Sequence, residues 1–265
     1  MKARRRTFEV LLAAATALAA VFLLLPVVAI FLQVPPSRLL DQLTSGVVLD
    51  ALRVTLKTNG IAMVLILLVG TLTAYLLATR QFPGRSVVVT LFELPLVLPP
   101  AVAGVGLLVA FGQQGLLGET FGAAGIEVGF TQLAVILAVT FVASPFYVRG
   151  AIAAFEALDP DLLAAARTLG AGPARTFFRV ALPMAAAGLS AGAAVALARA
   201  IGEFGATIMF AGSLRGVTQT VSLAIYQEFD VNLEVALAIS ALLILVSAAL
   251  LLAFKLPRWT RSAWI

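Results

Sequence analysis

The chain alternates long apolar runs with short polar ones. Six apolar segments stand out, at positions 10–32, 61–78, 87–111, 130–148, 181–210 and 235–254. Each can cross about 30 Å of hydrocarbon, for which about 20 helical residues suffice. A bilayer offers the backbone no hydrogen-bond partners, so runs this long and continuous must be helices rather than barrel strands. The pattern predicts an all-α membrane protein, a polytopic bundle of about six transmembrane helices.

The polar intervals orient the bundle. If the amino terminus faces the cytoplasm, the segments on that side carry Lys2, Arg4, Arg5, Arg6, Arg80, Arg85, Arg149, Arg167, Arg175, Arg179, Lys255, Arg258 and Arg261, while the opposite segments carry only Arg38, Arg53, Lys57 and Arg215. Basic residues gather on the cytoplasmic side of membrane proteins, so both termini are expected there. The basic start followed by an apolar run also fits a signal peptide, but the run exceeds a cleavable h-region, and it is read as an uncleaved first span.

Composition narrows the chemistry. Of 265 residues, 62% are hydrophobic and 12% charged, and the chain has no cysteine and no histidine. Thiolate nucleophiles, imidazole bases and soft metal ligands are thereby excluded. The net charge of +5 sits between apolar runs, so it speaks of topology and not of nucleic acid. An intramembrane enzyme would need clustered catalytic groups, and the close carboxylate pair Asp159 and Asp161 is explained by helix capping.

The connections are unequal. The turn at 79–86 is short and holds Pro83 and Gly84, whereas 149–180 is a long insertion, expected on the cytoplasmic side and the place to seek function. It reads as two short helices. Asp159 is an N-cap with Pro160 in the first turn, and Gly170 ends the helix in a left-handed conformation. Gly172 and Pro173 open a second helix running toward Leu182 and Pro183. Leu162, Ala166 and Leu169 share one face, and Arg175 and Arg179 another. With no internal repeat, the whole of 1–265 is expected to be a single transmembrane domain with this loop at about 149–180.

The stretch from Ala164 to Pro183, AAARTLGAGPARTFFRVALP, resembles the "EAA" loop of permease subunits of ATP-binding-cassette importers. Ala164, Ala165 and Ala166 fill the first positions of that pattern, Gly170 its glycine, Val180 its isoleucine, and Leu182 and Pro183 its end. Ala164 stands where the family usually has Glu. The resemblance implies a type I importer transmembrane-domain fold, with the loop serving as a coupling helix that docks on a separate ATPase subunit. The chain has no phosphate-binding G-x-x-x-x-G-K-[ST] loop, and none of its lysines follows a glycine. The expectation is therefore no cofactor on this chain and no catalysis by it, with ATP and Mg on the partner.

Two further stretches, GEFGATIMFAGSLRGVTQTVSLAIY from Gly202 and ELPLVLPPAVAGVGLLVAFGQQGLLG from Glu93, resemble the fifth and third spans of molybdate-type permeases. Sulfate (or thiosulfate) permeases share their outline. The run Gly205 to Gly212 followed by Thr218, Gln219 and Thr220 favours molybdate or tungstate. The resemblance implies a homodimer of this chain, two ATPase subunits, an extracytoplasmic oxyanion-binding protein, and residence in the cytoplasmic (inner) membrane of a bacterium or archaeon.

Arg199 and Glu203 lie four apart on one helix face and can neutralise each other inside the membrane. With Gly202, Phe204, Gly205 and Thr207 they form the candidate pathway or gate, or else a structural ion pair. Gly188 and Gly192 form a small-xxx-small pair for packing within the chain or across a dimer. Pro95, Pro99 and Pro100 make the third span either a kinked pathway-lining helix or, more commonly, a merely bent one. The polar loop 212–222 either meets the binding protein or is simply solvated. A secondary transporter titrating Glu93 or Glu203 is the alternative from a different class.

Overall fold

A computed structural model describes residues 2–262, and every regular element among them is helical. The side chains of Lys2, Arg4, Arg5, Arg6, Arg38, Lys255, Arg258 and Arg261 lie outside the described part. The helices are α1 (Lys2–Gln33), α2 (Pro36–Leu43), α3 (Gly46–Thr79), α4 (Arg85–Val97), α5 (Pro100–Phe111), α6 (Gly118–Ala123), α7 (Gln132–Glu156), α8 (Pro160–Thr168), α9 (Pro173–Thr176), α10 (Leu182–Ile201), α11 (Gly205–Ala211), α12 (Val221–Val231) and α13 (Leu233–Ser262). Five helices are long and apolar enough to cross a membrane singly.

The sixth expected crossing, 87–111, is broken. Helices α4 and α5 meet at an angle of 113°, far beyond the bend expected of a proline-containing helix. Two adjacent prolines are the cause. Leu98 and Pro99, each followed by proline, adopt ψ values of 132° and 133°, because a residue before proline is driven from the helical region. Pro100 then sits at the first position of α5, where its missing N–H costs nothing.

The expected fifth span, 181–210, differs at both ends. Its helix starts earlier, at Pro173, and runs unbroken to Ile201 over 29 residues, so α9 is the foot of the crossing helix and not a separate surface helix. A widened π-type turn at Phe177–Ala181 joins α9 to α10, with Leu182 N–H bonded to Phe177 O. It absorbs Pro183, which cannot donate to the preceding turn and whose ring crowds it. At the other end the helix stops at Gly202, and α11 begins afresh at Gly205.

Helices α3, α7 and α10 form the centre, and small residues let them approach. A Cβ on Gly70 would lie 2.8 Å from the Tyr147 ring, one on Gly188 2.5 Å from Ala154 Cβ, and one on Gly150 3.2 Å from Gly192 Cα. The Gly188–Gly192 pair thus packs within the chain, against α7. Tyr147 is buried and its hydroxyl is hydrogen-bonded to Thr71 Oγ1 at 2.6 Å. A second apolar cluster joins Val48 and Ala51 of α3 to Val221 and Ala224 of α12 and Val235 and Ile239 of α13. Helix α1 buries none of its apolar window and leaves Leu18, Phe22 and Leu32 bare, as a helix in lipid would.

The ends of the bundle differ. At one end α3 finishes, α4 starts and α7 finishes: Arg85 pairs with Glu156 at 2.5 Å and Arg149 with Glu93 at 3.6 Å, lining a cleft of about 430 Å³. This basic end carries α8. At the other end Arg215 pairs with Asp50 at 3.1 Å, and a cavity of about 630 Å³ is lined by Gln113, Gln114, Glu127 and Thr131, among others.

The loop leading to α12 is exposed from Leu214 to Val217 and buried only in its second half. Thr218, Gln219 and Thr220 are all buried, and the next N–H, that of Val221, donates to Thr55 Oγ1 of α3 at 2.9 Å. Thr55→Val removes that acceptor while keeping the shape, leaving a buried N–H unpaired at about 1–3 kcal/mol. A lower melting temperature in detergent is the expected result, and an unchanged one would remove the anchor.

Candidate coupling element and gate

Helix α8 stands on the expected signals. Asp159 Oδ1 accepts the Asp161 N–H at 2.9 Å, and Pro160 opens the helix. The exit is a paired-bond cap: Gly170, at φ +84°, donates to Arg167 O, and Ala171 N–H reaches Ala166 O, both at 3.0 Å. These are the two bonds of the Schellman motif, which requires a left-handed residue where Gly170 stands.

Only Leu163 of α8 is buried, toward the bundle, whereas Leu162 is 44% and Leu169 88% exposed. The two leucines of the expected apolar face are therefore bare. Ala164 and Ala165 are exposed and Ala166 half-buried. Leu182 and Pro183 lie apart from them, past the π-type turn in the crossing helix. The foot of the element is held by rings that the sequence reading did not pair. Tyr75 lies 5.3 Å from Phe155 and 4.8 Å from Phe177, joining the ends of α3 and α7 to the turn that follows α9.

The second candidate group gathers at the break after Ile201. Arg199 Nη2 contacts Glu203 Oε2 at 2.6 Å, and Glu203 Oε1 accepts the Ala206 N–H at 2.6 Å. The Glu203 side chain is 1% exposed and that of Arg199 25%. Gly202 is exposed, and the Phe204 ring sits 5.2 Å from that of Tyr226. Thr207 is buried, and its hydroxyl has no partner.

Gly205 meets the other broken span. A Cβ there would lie 2.7 Å from Pro100 Cβ, and one on Gly104 would lie 2.6 Å from Ala206 O. Helices α5 and α11, each restarting after a break, are thus locked backbone to backbone. The breaks carried two signals: a 30-residue apolar run exceeds what one crossing needs, and Gly202 and Gly205 flank a carboxylate.

Five crossing helices, one helix pair bent by 113° and a short helix with exposed leucines at the basic end make this chain a polytopic membrane protein. The chain belongs to the family of binding-protein-dependent transport system inner membrane components, whose pattern matches residues 66–258. It is 42% identical over 234 residues to the molybdenum transport system permease protein ModB of Mycobacterium tuberculosis, covering 88% of each chain. The sulfate transport system permease protein CysT of Salmonella typhimurium is 36% identical over 240 residues, covering 88% of this chain and 85% of that one. Among solved structures, a bacterial ABC transporter involved in the import of the acidic polysaccharide alginate aligns with a TM-score of 0.69 at 16% identity, over 100% of this chain and 99% of that one, a likeness of fold.

Proposed function

We propose that this chain is the permease subunit of an ATP-driven importer that carries molybdate, or the near-isosteric tungstate, across the cytoplasmic membrane of a bacterium or archaeon. It works as a homodimer with two ATPase subunits and an extracytoplasmic oxyanion-binding protein. Both termini and α8 lie on the cytoplasmic side, as the basic residues of that end favour.

The observation that carries the reading is the pair of bare leucines at α8, set by a glycine-dependent cap at the foot of a crossing helix. An exposed Leu162 on this short helix and Leu169 at its C-cap suit a groove on another protein. Closure of the ATPase pair pushes on this helix, and access to the pathway between the two copies switches from one side of the membrane to the other. Arg199, Gly202, Glu203, Phe204, Gly205 and Thr207 serve as the gate. The higher identity to a molybdenum permease than to a sulfate one supports the choice of oxyanion.

Glu93 and Glu203 each face a guanidinium, of Arg149 and Arg199, and this favours a structural or gating role over a proton-carrying one. Transport in vesicles tests the reading: molybdate uptake should require ATP, the ATPase subunit and the binding protein, and should persist when the proton gradient is collapsed. Uptake that follows the proton gradient without ATP would sink it. Calorimetric titration of the cognate binding protein with molybdate, tungstate and sulfate should rank the first two well above the third.

A further inference from the structure

We propose that the Glu203 carboxylate is a resident stand-in for the transported oxyanion, occupying the donors that the permeating ion uses, so that the ion passes by exchanging with it. The inference rests on the reading of the chain as an oxyanion permease and says how its gate keeps affinity low.

A carboxylate taken almost wholly out of solvent needs charge-assisted partners. Glu203 finds two on its own chain, the Arg199 guanidinium at 2.6 Å and the Ala206 N–H at 2.6 Å. These are the group types that hold tetrahedral oxyanions, a guanidinium and a backbone amide; the guanidinium meets the carboxylate as an ion pair through one nitrogen, Nη2. One residue further on, Thr207 is 0% exposed and its hydroxyl is without a partner.

The two members of the pair differ in access. Arg199 keeps a quarter of its side chain exposed while Glu203 keeps almost none, so an arriving anion meets the guanidinium first. Arg199 offers five N–H donors, more than one carboxylate oxygen can use. A lone guanidinium at this depth would be a trap for a dianion, strong in a low dielectric and slow to release. With Glu203 in place, one anion must leave the donors as the other takes them, and the attraction is largely cancelled. The carboxylate thereby turns a binding site into a transit point.

Removing the carboxylate is therefore expected to create binding. The experiment uses the purified complex of permease and ATPase subunit, with radiolabelled molybdate in equilibrium dialysis, beside ATP-driven uptake in vesicles. Glu203→Gln should bind molybdate at least tenfold more tightly than the parent and transport it more slowly. The double variant Arg199→Gln with Glu203→Gln should return to the weak binding of the parent. Glu203→Asp, which keeps the charge but is too short to hold Arg199 and the Ala206 N–H together, should fall between, and it carries the test if the glutamine variant does not fold. If the parent pumps molybdate while the glutamine and aspartate substitutions both leave binding as it was, exchange is wrong and the permease reading stands. If the parent complex pumps no molybdate, both fall together.

Discussion

A permease carrying Gly170→Val will assemble with a normal yield and elution profile, but its ATP-driven uptake will fall to background. Gly170 holds φ +84°, and a Cβ there would touch nothing within 4 Å. The whole effect is thus conformational: a β-branched residue forced into the left-handed region costs about 1–3 kcal/mol. The turn sheds that strain by leaving the left-handed region, which breaks the bonds from Gly170 to Arg167 and from Ala171 to Ala166 and re-aims α8. The bundle does not depend on this turn, whereas the aim of Leu162 and Leu169 does. Gly170→Asn, tolerated in the same conformation, should retain most of the uptake. Normal transport by the valine variant would remove the coupling role from this loop.

Gly104→Leu should have the opposite signature, with the fold itself failing. The added carbon meets backbone, at 2.6 Å from Ala206 O and 2.9 Å from Ala206 Cα, and backbone cannot step aside as a side-chain tip can. Helices α5 and α11 must part. Overpacking of this kind costs about 1–3 kcal/mol for small additions, and the isobutyl group adds to it. The expected readout is a large fall in the melting temperature of the detergent-solubilised protein. Gly106, two residues along the same helix with nothing within 4 Å, is the matched control, and Gly106→Leu should melt like the parent. Equal losses at the two positions would show that the crossing is not the constraint.

The signals that could be read without a structure were local ones. Asp159, Pro160 and Gly170 act through neighbours in sequence, so the bounds and cap of α8 followed from residue types alone. The crossings followed too, since apolar length is a direct report of bilayer thickness. What escaped was set by residues far apart in the chain. Hydropathy treats 87–111 and 181–210 as single runs, because the breaks at Pro99 and Gly202–Phe204 are flanked by sequence as apolar as the helices. Packing of Gly205 on Pro100 makes both breaks stable, and no periodicity within either segment encodes it. The burial of Thr218, Gln219 and Thr220 was hidden for the same reason: the acceptor that anchors this loop, Thr55, belongs to another helix. The glycines at 188 and 192 declared close packing but not the partner, which proved to be α7. The candidate gate was legible as the Arg199–Glu203 spacing, whereas the Ala206 N–H and the orphaned Thr207 hydroxyl required the restart of α11.

On the proposed coupling role, the unbroken helix from Pro173 to Ile201 would work as a first-class lever. At 1.5 Å per residue its 29 residues form a rod about 43 Å long, its foot joined through the cap of Gly170 to α8 and its tip just beyond Arg199. The Tyr147 and Gly192 contact, about two-thirds of the way from foot to tip, is the place for the fulcrum. A tilt of about 10° about that point sweeps the foot sideways by about 5 Å and the tip by about 2.4 Å, enough to lengthen a hydrogen bond past its limit. Motion need not diffuse through side chains to reach the ion pair, because the backbone itself delivers it, with the widened turn at Phe177–Ala181 as the one compliant joint along the shaft.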